Sequence, residues 1–226
     1  MFVGHLGAGL AARTAGPRLN LGLLFFAAML PDFVLWLLVL AGIERGIVPP
    51  DYGRLHYLRF DFPWSHSLLG VMVLGGALAL GWAGLQRNKN LIRLTSVVLA
   101  LTVLSHWLLD YLVHVPEMPL IPGTRGLGLG LWNDLNFALG LELGIAFLAL
   151  VWFWTRVNLS RVRRIWIGVL VLVAAALTVM GMQSPTPPPG MEIAAITSLA
   201  SIAIVSALAW WADRRRYVGT ILPPIP

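Results

Sequence analysis

Residues 91–113 read LIRLTSVVLALTVLSHWLLDYLV. A helix that crosses a bilayer needs about 20 mostly apolar residues. Leu91–Val113 meets that length, with Arg93 near its start and His106 and Asp110 far inside the apolar run. Comparable stretches lie on both sides, at Leu19–Ala41, His66–Leu85, Leu135–Thr155, Ile165–Met182 and Ile193–Trp211. The expected fold is all-α: a polytopic membrane helical bundle of about six transmembrane helices in a single integral membrane domain spanning 1–226. Met1–Ala15 is apolar but too short to span. It has no basic n-region or cleavage pattern and does not read as a signal peptide. Gly16-Pro17 reads as a turn, so a short membrane-inserted helix is expected to fold back against the first span.

Composition agrees. Of 226 residues, 58% are hydrophobic and 12% are charged, about half the roughly 25% charged content of an ordinary soluble domain. These values exclude a disordered chain. Cysteine is absent, which removes disulfides, thiolate metal sites and a cysteine nucleophile. The net charge of +6 follows topology, not nucleic-acid binding. Arg13, Arg18, Arg87, Lys89, Arg93, Arg156, Arg161, Arg163, Arg164, Arg214, Arg215 and Arg216 fall on one side of the predicted spans, whereas Arg45, Arg54, Arg59 and Arg125 fall on the other. The positive-inside rule places the first group, with both basic ends of the chain, in the cytoplasm.

The opposite side carries the longer loops, Gly42–Ser65 and Val113–Asp134, and a short Pro-rich one, Gln183–Glu192. The Gly-rich run Gly123–Gly130 lacks a Gly-Lys-Ser/Thr ending and a preceding strand, so it does not read as a phosphate loop. Gly140 and Gly144 are spaced to let helices pack closely.

Ionisable side chains within a bilayer are costly and mark function. Here they are Asp32, His106, Asp110 and Glu142, with His5 and His66 nearby. At 1.5 Å per residue, Asp32 lies about 21 Å from the Arg18 turn, His106 about 22 Å and Asp110 about 28 Å beyond Leu91, and His66 about 30 Å from Gln86. Glu142 falls in the same half of its span, and His5 stands about 12 Å from Arg13 if helical. These levels converge on the outer third of the membrane. His106 and Asp110, four apart, share a helix face and can bind one metal ion. Pro31 is expected to kink the first span at Asp32, and Ser65 is placed to cap the second. His56 and His114 read as loop or hydrogen-bonded residues, although His114 continues the 106–110 stripe.

Gly4-His5, Leu30-Pro31-Asp32, Trp64-Ser65-His66-Ser67-Leu68-Leu69 and Ser105-His106-Trp107-Leu108-Leu109-Asp110 occur in that order. This pattern, covering roughly residues 1–115, resembles the YdjM-like bacterial inner-membrane proteins, described as metal-dependent hydrolases. Two positions depart from it: Val34 stands where a second Asp is frequent, and Phe62-Pro63-Trp64 precedes Ser65 in place of His-Arg-Gly. The resemblance implies that His5, Asp32, His66, His106 and Asp110 hold one or two divalent ions, zinc by ligand type. Asp110 or Glu142 would then act as the catalytic proton acceptor. A membrane lipid or lipid-linked phosphate is the substrate class expected at that depth, with Tyr52, Arg54, Arg59 and Trp64 near the headgroups. A transporter or ion-handling protein, and a scaffold with a structural metal, remain the alternative readings.

Overall fold

The structure is a computed structural model that describes residues 1–16, 18–86 and 89–214. Pro17, Arg87, Arg215 and Arg216 lie outside the described residues, and the Lys89 side chain is likewise not described. Helices dominate: α1 (Phe2–Ala15), α2 (Leu21–Ala28), α3 (Leu30–Leu40), α4 (Tyr52–Leu55), α5 (Leu68–Leu85), α6 (Lys89–Val113), α7 (Leu135–Arg156), α8 (Arg161–Met182) and α9 (Met191–Asp213). Five of them, α5 to α9, are long and apolar enough to cross a membrane. Their exposed faces are those of lipid-facing helices, with Leu80 76%, Leu85 81% and Met180 70% exposed. The chain is an all-α bundle suited to several membrane crossings.

The expected first span, Leu19–Ala41, is not one helix. It breaks at Met29 into α2 and α3, which meet at a 54° bend. Proline at position 31 sits in the first turn of α3, where its missing N–H is tolerated, but it cannot donate to the Ala27 carbonyl and so interrupts the ladder. Side chains define other ends. Asn20 Oδ1 accepts from Gly22 N at 2.8 Å to start α2, and Asp134 Oδ1 accepts from Phe137 N at 3.1 Å to start α7. The cap of α5 is Ser67, whose Oγ accepts from Gly70 N at 3.0 Å, and not Ser65 as expected. The Ser65 hydroxyl is turned to another use.

Without a water-driven hydrophobic effect between helices in lipid, association depends on close packing, and small residues set the contacts. Gly140 and Gly144 do not fill that role: a Cβ at either would meet nothing within 4 Å. The close approaches are at Gly7, where a Cβ would lie 3.1 Å from the Ala146 Cα of α7, and at Gly22, where it would press on the Ser206 carbonyl and stand 2.5 Å from Trp210 N of α9. The short α1 thus packs mainly on α7, with α2 its second neighbour. At one end, a buried ion pair ties three elements together. Arg13 Nε donates to Asp213 Oδ2 at 2.7 Å, and the same oxygen accepts from Leu21 N at 2.8 Å.

At the other end the long loops form a cover. β1 (Arg45–Ile47) pairs antiparallel with β2 (Arg59–Asp61), with Gly46 opposite Phe60. An isolated bridge joins Met118 and Leu127. Gly128 has φ 137° and passes directly over the His114 carbonyl, where a Cβ would clash, so the Gly-rich run serves a tight crossing.

Candidate metal centre

Four of the predicted site residues meet at one point. Asp32 comes from the first turn of α3, His66 from the turn before α5, and His106 and Asp110 from successive turns of α6. One donor atom from each lies within 4.8 Å of all the others. His66 Nε2 and His106 Nε2 are 3.1 Å apart. His66 Nε2 is 3.4 Å from both Asp32 Oδ1 and Asp110 Oδ2. His106 Nε2 is 3.1 Å from Asp110 Oδ2 and 3.7 Å from Asp32 Oδ1. Nitrogen and oxygen ligands held at 2.0–2.1 Å around a tetrahedral ion are separated by roughly 3.3 Å. Five edges of the four-donor figure therefore match what a small divalent ion requires.

The far sides of the rings explain why the Nε2 atoms face inward. The Ala28 carbonyl, left at the helix break, can only accept, so the His106 Nδ1 at 2.7 Å carries its proton. Ser65 Oγ donates to Glu44 Oε2 at 2.6 Å and is left to accept from His66 Nδ1 at 2.8 Å. With both rings neutral, the Nε2 lone pairs would point at each other, beside two carboxylates. Lone pairs and anionic oxygens crowded this way repel unless a cation lies between them. Imidazoles whose second nitrogen is bound to a carbonyl or a carboxylate-linked partner are the usual ligand arrangement. The set carries a formal charge of −2 with neutral imidazoles, which suits a divalent ion.

A second layer surrounds these four. His5 does not join the four-donor set. Its Nε2 lies 3.1 Å from Asp110 Oδ1, the oxygen turned away from the cluster, and its ring stacks on that of His106 with centroids 3.8 Å apart. The Met1 amino group is 3.0 Å from the same oxygen. Glu142 is also outside the set. It is buried beside Gly4, and its Oε2 has no hydrogen-bond partner among the described residues. His114 is buried, with Nε2 3.8 Å from Asp110 Oδ2 and Nδ1 2.9 Å from Glu117 Oε1. His56 lies apart, with Nδ1 against the Ser184 carbonyl.

No family model, curated protein or solved structure matches the chain.

Two acids that support the site carry no mark in the sequence. Glu44 is 1% exposed and accepts from Trp64 N, Ser65 N and Ser65 Oγ. Glu117 is buried and holds His114. Both sit in polar loops, where an acid gives no signal. Of the loop residues expected near headgroups, Trp64 is 56% exposed, whereas Tyr52 is buried and Arg54 pairs with Asp51. Tyr57 forms part of the cover: its hydroxyl donates to Asn133 Oδ1 at 3.0 Å, and its ring stacks near Trp132, which lies over His114. Burial raises the Tyr57 phenol above its usual pKa, so it stays a neutral donor.

The Glu44 arrangement yields a prediction. Second-layer partners are worth roughly 10–100-fold in metal affinity. A Glu44→Ala variant is expected to bind metal about 10–100-fold more weakly in a chelator competition while keeping its helical circular dichroism. Unchanged affinity would show that the Ser65–His66 orientation does not depend on Glu44.

Proposed function

We propose that the protein is a membrane-embedded metal-dependent hydrolase acting on a phosphate ester of a lipid or lipid-linked substrate. The observation that carries this reading is the four-donor figure of Asp32, His66, His106 and Asp110, with both imidazole Nδ1 atoms already committed elsewhere. Zinc fits the ligand types and the tetrahedral spacing. Such an ion would act as a Lewis acid and, by expanding to a fifth ligand, would acidify a bound water toward neutrality.

The chain's own residues do the rest. Asp32 is the exposed edge of the cluster, its side chain 22% accessible against 0–2% for the other three; substrate enters there. Asp110 has one oxygen facing the cluster and the other held by His5 and the Met1 amine, which orients it as a ligand. Glu142, with an oxygen still unpartnered, is the carboxylate left to take a proton from water. The membrane location supports a lipid substrate. The excess of basic residues at the opposite end supports an inner-membrane orientation with both basic ends in the cytoplasm.

The test is phosphate release from a panel of lipid and polyprenyl phosphates by the purified protein. Turnover that disappears on chelation and returns with zinc is the expected result. Stoichiometric metal without turnover on any ester would overturn the hydrolase reading. One observation favours a second reading, transport: the α2–α3 break places Asp32 at a discontinuous helix, as ion-coupled carriers do. Ion flux into liposomes that is lost in Asp32→Asn would support it in place of hydrolysis.

A further inference from the structure

At the end of the bundle bearing Arg13 and Asp213, the start of α8 and the end of α9 border an open cavity of about 310 Å³, at the lower end of the roughly 300–1,000 Å³ of small-molecule sites. Ser160, Arg163, Trp166, Trp211 and Arg214 line it. Two features suit it to an anion, and a third places it among aromatic side chains. First, Arg163 and Arg214 enter none of the arginine ion pairs among the described residues, which join Arg13 to Asp213, Arg54 to Asp51, Arg59 to Glu117 and Arg125 to Asp61. Asp213, adjacent to Arg214, has both oxygens committed to Arg13 and Leu21. Second, α8 starts without a side-chain cap, so its first-turn N–H groups and the positive end of its dipole are open to an external anion. Third, Trp166 and Trp211 meet edge to face at 6.3 Å, and the Arg214 guanidinium lies 5.7 Å from the Trp211 ring centre.

Both tryptophans are about half exposed, at 53% and 49%, and sit at the ends of two apolar helices suited to spanning. That is the level of lipid headgroups, where tryptophan concentrates. We propose that this cavity binds the phosphate of an anionic membrane phospholipid, with Arg163, Arg214 and the α8 N-terminus as anion donors and the two indoles against the glycerol and upper chains. The site is separate from the Asp32–Asp110 cluster and does not depend on the function proposed for it.

Native mass spectrometry of the full-length protein in detergent, with added phosphatidylglycerol or phosphatidylcholine, tests this. Wild type is expected to retain one phosphatidylglycerol with about tenfold preference over phosphatidylcholine. Arg163→Gln/Arg214→Gln loses the preference, while Arg93→Gln/Arg156→Gln, which removes two charges outside the cavity, keeps it. Circular dichroism and the two single Arg→Gln variants, each expected to lose part of the preference, exclude misfolding as the cause. Equal preference in wild type and the Arg163/Arg214 variant, or equal loss in both double variants, would overturn the site. Displacement of the lipid by millimolar inorganic phosphate would assign the cavity to soluble phosphate and overturn the lipid assignment.

Discussion

His106→Ala is expected to purify without stoichiometric metal and without any metal-dependent activity. The ring contributes one of four donors, and its removal leaves the Ala28 carbonyl without its 2.7 Å donor. It also withdraws the surface on which His5 stacks. Loss of a direct ligand exceeds the roughly 10–100-fold cost of losing a second-layer partner, so Glu44→Ala should be the milder of the two. Asp110→Asn is expected to behave like His106→Ala, because its Oδ2 faces both imidazoles. His56→Ala, whose ring bonds the Ser184 carbonyl away from the four donors, should retain full metal. Metal content by mass spectrometry on the purified proteins reads all of these. Equal metal in His106→Ala and His56→Ala would mean that the four donors are not the binding site.

Gly22→Ala is expected to destabilise the fold strongly, and Gly140→Ala to stabilise it slightly. Both glycines are helical. At Gly22 the added methyl would meet backbone atoms of α9 at Ser206 and Trp210, which cannot move aside as a flexible side chain would. Forcing a methyl into a packed contact costs about 1–3 kcal/mol and more where backbone must shift. At Gly140 there is open space, and exchanging glycine for alanine within a helix gains up to about 1 kcal/mol. Thermal unfolding in one detergent should move in opposite directions for the two variants. A fall for Gly140→Ala with no change for Gly22→Ala would reverse the packing account.

That pair also shows where sequence reading stopped. Gly140 and Gly144 carry the spacing of a helix-packing motif, yet the contacts fall at Gly7 and Gly22, because small-residue spacing does not say which face meets a neighbour. The candidate ligands were legible for the opposite reason: in spans this apolar, Asp32, His106 and Asp110 had few polar competitors, and helix rise alone set them at similar depths. His66 was legible as the opening of an apolar run. Glu44 and Glu117 were not, since a loop acid becomes a ligand support only once the chain folds back over the site. Pro31 announced a kink, but not that the break would free the Ala28 carbonyl to orient His106. Nor did the loops announce the β1–β2 ribbon, whose strands are only three residues each.

The proposed function requires two imidazoles and two carboxylates to share one ion. X-ray absorption at the edge of whatever metal the purified protein retains tests it most directly. One ion per chain is expected, with a first shell of nitrogen and oxygen at about 2.0–2.1 Å and outer-shell scattering from two imidazole rings that falls to one in any metal left on His66→Ala. A shell without imidazole scattering in the wild-type protein, or no bound metal after loading, would contradict it.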